Sequence, residues 1–225
     1  MPAIYLVRHG QASFGAENYD QLSRLGYRQG ELLGENLARL RMVPASVVCG
    51  SMQRHGQTAE ACLQAMKHPP YWQEERGLDE FDHMDIIRSH DPRLTDHKSL
   101  AEHLRRQDEP RAAFEELFQA AIAQWIRGEG DYRESWPGFR NRVQDAIQRL
   151  AGALSSGETL LVFSSGGPVA VAAQSLLGFP DEDWPAFSRG LVNAGVTRLV
   201  GRPGNLRLAS LNEHLHLAHE VVSYR

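Results

Sequence analysis

Arg8 and His9 close an apolar run, Ile4-Tyr5-Leu6-Val7, and Gly10 follows them. Histidine can serve as nucleophile, general base or metal ligand. Arginine offers a planar fork of donors that suits phosphate or carboxylate. A buried strand ending in this pair delivers both side chains to its carboxyl end, where open α/β sheets bind ligands. Gly10 reads as a sharp turn or a close approach of the backbone to a ligand. Two other stretches could supply partners. Ser46-Val47-Val48-Cys49-Gly50-Ser51 is a second strand with a small-residue end, and Arg54 lies just beyond it. Thr159-Leu160-Leu161-Val162-Phe163 is a third, and it runs into Ser164-Ser165-Gly166-Gly167-Pro168. Such a turn opens a helix whose free N–H groups and dipole attract an anion. Two arginines, a histidine and a helix start make a phosphate pocket, and Glu80 or a neighbour adds an acid.

These residues need a scaffold. Leu22, Leu25, Gln29, Leu32, Leu33, Leu37 and Leu40 recur at helical spacing, which predicts a helix from about Ser23 to Arg41. Another helix is expected from Arg54 to Met66, and a short strand within Tyr71–Arg76. Alternating strands and helices predict a parallel sheet. Residues 86–134 read as amphipathic helices broken by Pro92 and Pro110, with Leu100, Leu104, Phe114, Leu117, Phe118, Ile122 and Trp125 inward. They form an expected helical lid, inserted within a single domain spanning 1–225. Ser135 caps a helix with Pro137 in its first turn, and Phe139, Val143, Ile147, Leu150 and Leu154 repeat along one face. Pro168 and Gly178 mark the start and end of the helix after the late strand. Residues 194–201 and 206–212 read as a closing hairpin.

Composition narrows the function. A formal net charge of −4 argues against a general nucleic-acid binder, which is usually basic. It leaves anionic substrates open, because a few local arginines suffice. No apolar run approaches the ~20 residues that span a bilayer, and no signal-peptide pattern opens the chain, so the expected location is cytoplasmic. Cys49 and Cys62 make no framework and read as reduced, buried thiols. Trp125, Trp136 and Trp184 lack basic neighbours and read as packing rather than as stacking platforms for nucleic acid.

The chain resembles the histidine phosphatase superfamily, the phosphoglycerate-mutase-like proteins. Four separated motifs carry the likeness, in order: Leu6-Val7-Arg8-His9-Gly10, the stretch Ser51 to Ala59 around Arg54, Leu78-Asp79-Glu80, and Glu134-Ser135 with Phe139 and Arg142-Val143. The resemblance implies a three-layer α/β/α sandwich around a mostly parallel sheet, with a helical insert over the active site. It implies that His9 attacks phosphorus and carries a phosphohistidine. It implies that Arg8 and Arg54 hold the phosphoryl oxygens, and that Glu80 protonates the leaving oxygen and then activates water. Ser165 and Gly166 complete the expected phosphate site. Phosphoryl transfer mostly needs positioning and charge neutralisation, and bidentate arginines supply both, so no cofactor and no metal is called for. Two nearby cations are expected to keep His9 neutral. The expected function is hydrolysis of a small phosphomonoester.

The chain departs from the family at two places. A Ser-His-Gly-Gly turn is usual after the late strand; here Ser165 stands in the histidine's place. Loss of one transition-state donor costs about 10²–10³ in rate elsewhere. Weak turnover is the expectation, and a silent relative that binds a phosphorylated ligand or partner is the competing reading. Glu80 favours the enzyme, since a binder needs no acid. Restoring the histidine by Ser165→His separates the two readings: a rise in activity marks a site otherwise intact, and no change, with His9 never labelled by phosphate, supports the silent relative. His55 and His83 are the nearest candidates to compensate, but each reads as a surface or loop histidine. Phosphoglycerate mutases carry an asparagine six residues after the nucleophile, where this chain has Gly15, with Asn18 out of register; that favours a phosphatase. The cluster Asp79, Glu80, Asp82, His83 and Asp85 reads as an acidic loop rather than a metal site. His214 and His216 alternate with Leu215 and Leu217, which reads as a solvent-facing terminal edge strand rather than a zinc site.

Overall fold

The computed structural model describes residues 1–13 and 20–224, so the positions of Gly15 and Asn18 lie outside the described residues. Strand β1 (Ala3–Arg8) is followed by helix α1 (Arg24–Arg39), β2 (Ser46–Cys49), α2 (Gln53–Ala65) and a two-residue β3 (Gln73–Glu74). Three helices follow: α3 (His83–His90), α4 (His97–Leu104) and α5 (Pro110–Ile126). Then come α6 (Trp136–Gly152), β4 (Thr159–Ser164), α7 (Gly166–Leu177), a short α8 (Trp184–Arg189), β5 (Val196–Arg202) and β6 (Asn205–Glu213). The strands form one sheet in the order β3-β2-β4-β1-β5-β6. β3, β2, β4 and β1 run parallel; β5 is antiparallel to β1 and pairs with β6 as a hairpin. The sheet is therefore mostly parallel, as the alternating pattern predicts.

Strand periodicity sorts the two faces. Val7, Leu161 and Phe163 pack with Leu33, Leu37 and Leu63 of α1 and α2. Ile4, Leu6, Leu160 and Val162 point the other way, onto Phe139, Val143 and Ile147 of α6 and Val169 of α7. Burying a side chain of this size contributes about 1.5–3 kcal/mol, so both helical layers are needed. The helices α3 to α5 add no strand. Ile87, Leu94 and Leu100 form their own small core, with Phe114, Leu117 and Phe118 against it. Trp125, Trp136, Trp184, Phe139 and Phe81 make ring contacts that join α5 to the main core. These tryptophans are packing residues, as expected. No helix among the described residues is long and apolar enough to cross a membrane.

Two local expectations need correction. Gly10, read as a sharp turn or a close approach to a ligand, instead approaches the backbone of α1, where a Cβ would lie 2.3 Å from the Gly26 carbonyl oxygen. Close approach of loop to helix therefore demands the glycine. The histidines at 214 and 216 are not strand residues, because β6 ends at Glu213. His214 Nδ1 instead meets the Asn212 carbonyl oxygen at 2.6 Å. Asn212 adopts a positive φ of 52°, which turns the chain and breaks the alternation. Among the described residues no His, Cys, Asp or Glu grouping has metal-binding geometry. Asp82 caps α3 through Met84 N and Asp85 N, and the buried Asp85 accepts from Arg133 N at 2.8 Å. Cys49 and Cys62 are free and buried, and burial pushes the Cys62 thiol up to about 12.

Candidate active site

The carboxyl end of β1 is gripped from both sides. His9 N donates to Ser164 O of β4 at 2.8 Å, and Arg8 N to Gly195 O at 3.1 Å. Ala194 N reaches the Arg8 and His9 carbonyl oxygens at 3.0 and 3.2 Å. Asn193 Nδ2 adds a second donor to His9 O at 3.2 Å. Arg8 Nη1 donates to Leu191 O, which steers its guanidinium along the start of α7. There a Cβ on Gly166 would stand 3.3 Å from Arg8 Nε.

The His9 ring is buried and tied at both nitrogens. Nδ1 lies 2.7 Å from Gly10 O, and Arg54 Nε donates to Nε2 at 3.1 Å. An arginine N–H has to meet an acceptor nitrogen. Nε2 therefore carries the lone pair, and Nδ1 holds the proton that it donates to Gly10. Burial first, then the charges of Arg54, Arg8 and His55, hold the imidazole well below its ordinary value. His9 is thus neutral, though burial outranks the two cations that sequence reasoning named.

Arg54 reaches this position from the first turn of α2. Its Nη1 pairs with Asp20 at 2.8 Å, and Asp20 also accepts from Gln53 N at 2.9 Å. Thr58, one turn on, donates to Arg54 O at 2.7 Å and accepts from Gly10 N at 3.0 Å. That threonine locks the His9 turn to the helix that carries Arg54. The Ser51 N–H and hydroxyl both donate to Asp79, at 2.6 and 2.5 Å.

Glu80 stands over the start of α7. Its Oε2 accepts from Gly167 N at 3.0 Å, while Oε1 is buried without a partner. Gly167 must lack a side chain, since a Cβ would fall 2.0 Å from that Oε1. Burial raises the carboxyl above its ordinary value, against the opposing pull of the Gly167 N–H and the two arginines. A carboxyl raised in this way suits a general acid.

Ser165 is fully buried at the N-cap of α7 but makes no capping bond. Its Oγ lies 2.7 Å from His55 Nε2. The expectation for His55 is overturned: it is 0% exposed, with its ring 5.8 Å from that of His9. His55 is in the third position of α2, where the helix turns its side chain into the sheet end rather than to solvent. His83 is no loop residue either. It opens α3, half-buried, and burial with His97 and Arg54 nearby pushes it down to about 4.

A family model for the histidine phosphatase superfamily, branch 1, matches residues 4–214. The chain belongs to that superfamily. No curated protein matches it in sequence. Solved structures of similar fold include a mutant phosphoserine phosphatase from Entamoeba histolytica in complex with phosphoserine, 16% identical, with a TM-score of 0.68 over 97% of this chain and 100% of that one. A mycobacterial glucosyl-3-phosphoglycerate phosphatase is 20% identical, with a TM-score of 0.64 over 93% and 98%. A phosphoglycerate mutase from Bacillus anthracis is 17% identical, with a TM-score of 0.64 over 95% and 94%. At these identities the likeness is one of fold.

The fold brings Arg8, His9, Arg54, Glu80, Ser165 and Gly166 to one sheet end. Sequence reasoning missed Asp20, Thr58 and Asn193, and it named His55 as a candidate to compensate but read it as a surface or loop residue. Thr58 had a signal, its place one helical turn after Arg54. Asp20 and Asn193 had none, because their roles depend on loops packed from far along the chain.

Proposed function

We propose that this histidine phosphatase family member hydrolyses a small phosphomonoester through a phosphohistidine on His9 Nε2. The tautomer carries the reading: Arg54 Nε–H on Nε2 and Gly10 O on Nδ1 leave the nucleophilic lone pair on Nε2, beside the two arginines. As the ester's phosphorus approaches, the Nε2 pair forms an N–P bond while the P–O bond to the leaving group breaks. The protonated Glu80 gives its proton to the departing oxygen, which leaves as an alcohol. The resulting carboxylate then takes a proton from water. Water oxygen attacks phosphorus, the N–P bond breaks, and its electron pair returns to Nε2 as phosphate leaves.

Arg8 and Arg54 neutralise the phosphoryl oxygens throughout, with Ser165 and the Gly166 N–H at the start of α7. The scheme uses no metal and no cofactor. We assign α3 to α5 as a lid within one domain, with His83 of α3 close enough to feel the Arg54 charge. A lid that narrows access suits small esters, the kind of molecule held by the Entamoeba histolytica phosphatase in its phosphoserine complex. The raised Glu80 favours turnover over a silent binding role, which has no use for a protonated acid.

The test is turnover of an aryl phosphate, with acid-labile phosphate trapped on the protein. Wild type should turn over and label at His9, and His9→Ala should do neither. Equal rates for the two proteins across about pH 5–8, on a panel of phosphomonoesters, would overturn the reading.

A further inference from the structure

The stretch from Glu134 to Val143 takes no part in the catalytic steps above, yet it reaches the turn that carries Glu80. Arg142 of α6 divides its guanidinium between two tasks. Nε and Nη2 donate to the two carboxylate oxygens of Glu134, at 2.7 and 2.8 Å, a bidentate pair. Nη1 donates to three backbone carbonyl oxygens, those of Arg76 and Gly77 at 3.2 Å and that of Asp79 at 3.0 Å. The remaining carbonyl of that run, Leu78 O, accepts from the buried Ser164 hydroxyl at 2.7 Å. Every carbonyl from residue 76 to residue 79 is thus held by a side chain, and the next residue is Glu80. Gly77 lets this turn press against α6: a Cβ there would lie 2.7 Å from Ala146 Cβ. On the other side, the Asp79 carboxylate is fastened to Ser51.

We propose that Arg142, anchored by Glu134, is a positioning residue for the general acid: it fixes the backbone of residues 76–79 so that Glu80 meets the leaving oxygen. The Glu80 carboxyl leans on backbone N–H groups, that of Gly167 at 3.0 Å and that of Phe81. Its aim therefore depends on where its own backbone stands relative to the start of α7. Proton transfer needs hydrogen-bond reach, and a displacement of about 1 Å can cost about 10²-fold in rate. Lysine could not take the arginine's place, because a point charge cannot pair in two places with Glu134 and also serve three carbonyls. Trp125 of α5 donates to Glu134 O at 2.8 Å, so the inserted helices are tied to the same frame. Arg142 gives no proton and forms no bond to the substrate in this role. Its influence is confined to the step in which the departing oxygen needs a proton.

The inference rests on the hydrolytic reading above. Its test uses two esters of similar size, 4-nitrophenyl phosphate and benzyl phosphate. Nitrophenolate departs without a proton, whereas the benzyl alkoxide needs one. The readout is kcat/KM, which covers the steps up to release of the alcohol and leaves out the later attack of water. Arg142→Lys should lower kcat/KM about 10²-fold on benzyl phosphate and no more than about threefold on the nitrophenyl ester. Glu134→Gln should shift the same ratio in the same direction, by about tenfold, because it loosens the arginine without removing it. In Glu80→Gln, where the acid is already gone, adding Arg142→Lys should change neither ester by more than about threefold. Thermal melting shows which variants fold, and if Arg142→Lys does not, Glu134→Gln decides. A folded single variant that loses equally on both esters, or loses on neither, would overturn the proposal, since a merely structural arginine has no preference for the leaving group. A further loss on adding Arg142→Lys to Glu80→Gln would overturn it as well. A wild type no faster than His9→Ala on either ester would instead overturn the hydrolytic reading on which it rests.

Discussion

At the scale of the residue, the hole expected at position 165 is already filled. Ser165 and His55 are both fully buried and 2.7 Å apart. An imidazole added at 165 would meet the one already there, and overpacking of this kind costs about 1–3 kcal/mol. Ser165→His on its own should therefore lower the melting temperature and fail to raise kcat. Gains should appear only when His55 is cut back to alanine in the same chain, and melting curves with aryl phosphatase assays on the single and double variants check this. Arg8, His9, Arg54 and Glu80 were legible because each follows a strand or a recognisable turn. His55 was not. Its inward direction depends on the bare Gly50 and on a serine 110 positions away, and neither leaves a mark on the helical pattern around it.

At the scale of the element, the turn at His9 is braced by parts with no sequence signature. Gln29 of α1, fully buried, accepts from Gln11 N at 2.8 Å and donates to Val221 O and Ser223 Oγ at 2.7 and 2.9 Å. Ser223 Oγ donates to Asn193 Oδ1 at 2.9 Å, and Asn193 Nδ2 donates to His9 O. Helix, tail and the loop before β5 thus converge on the backbone of His9. Gln29→Leu strands several buried partners, each worth about 1–3 kcal/mol when left unsatisfied. The variant should lose about 2–4 kcal/mol in urea unfolding, and kcat should fall although residue 29 is outside the pocket. Periodicity placed the helix but read Gln29 as one more position on its apolar face. The strands, by contrast, were readable throughout, because β1, β2 and β4 are short apolar runs bounded by polar or small residues. The tail after β6 was misread because alternation of His and Leu persists past the point where Asn212 turns the chain.

At the scale of the whole molecule, stability should fall as pH drops below about 6.5. The folded protein holds His9, His55, His83 and His216 neutral by burial, with values of about 3 for His55 and about 4 for His83 and His216. The unfolded chain binds protons at the ordinary value, so it is favoured as acid is added. The histidine contribution is complete above the unfolded value and lost on the way down toward the folded ones. Glu80 acts in the opposite sense, since its raised carboxyl is easier to protonate when folded. Four histidines outweigh one carboxyl, so the melting temperature should decrease steadily from pH 7 to about pH 4. A flat or rising melting curve over that range would show that these rings are already protonated in the native protein. The parallel sheet was legible from alternation of strands and helices and its layers from the family resemblance, whereas the short helix α8 and the aromatic junction it completes depend on tertiary packing alone. The strand order carries one more consequence, for the nascent chain. β1 lies between β4 and β5, and its first neighbour begins only at Thr159. Until that segment has been made, Ile4-Tyr5-Leu6-Val7 offers two bare edges and an apolar surface to any other strand nearby. The segment that bears His9 is therefore exposed to aggregation during synthesis, and open to a chaperone that shields extended apolar chain.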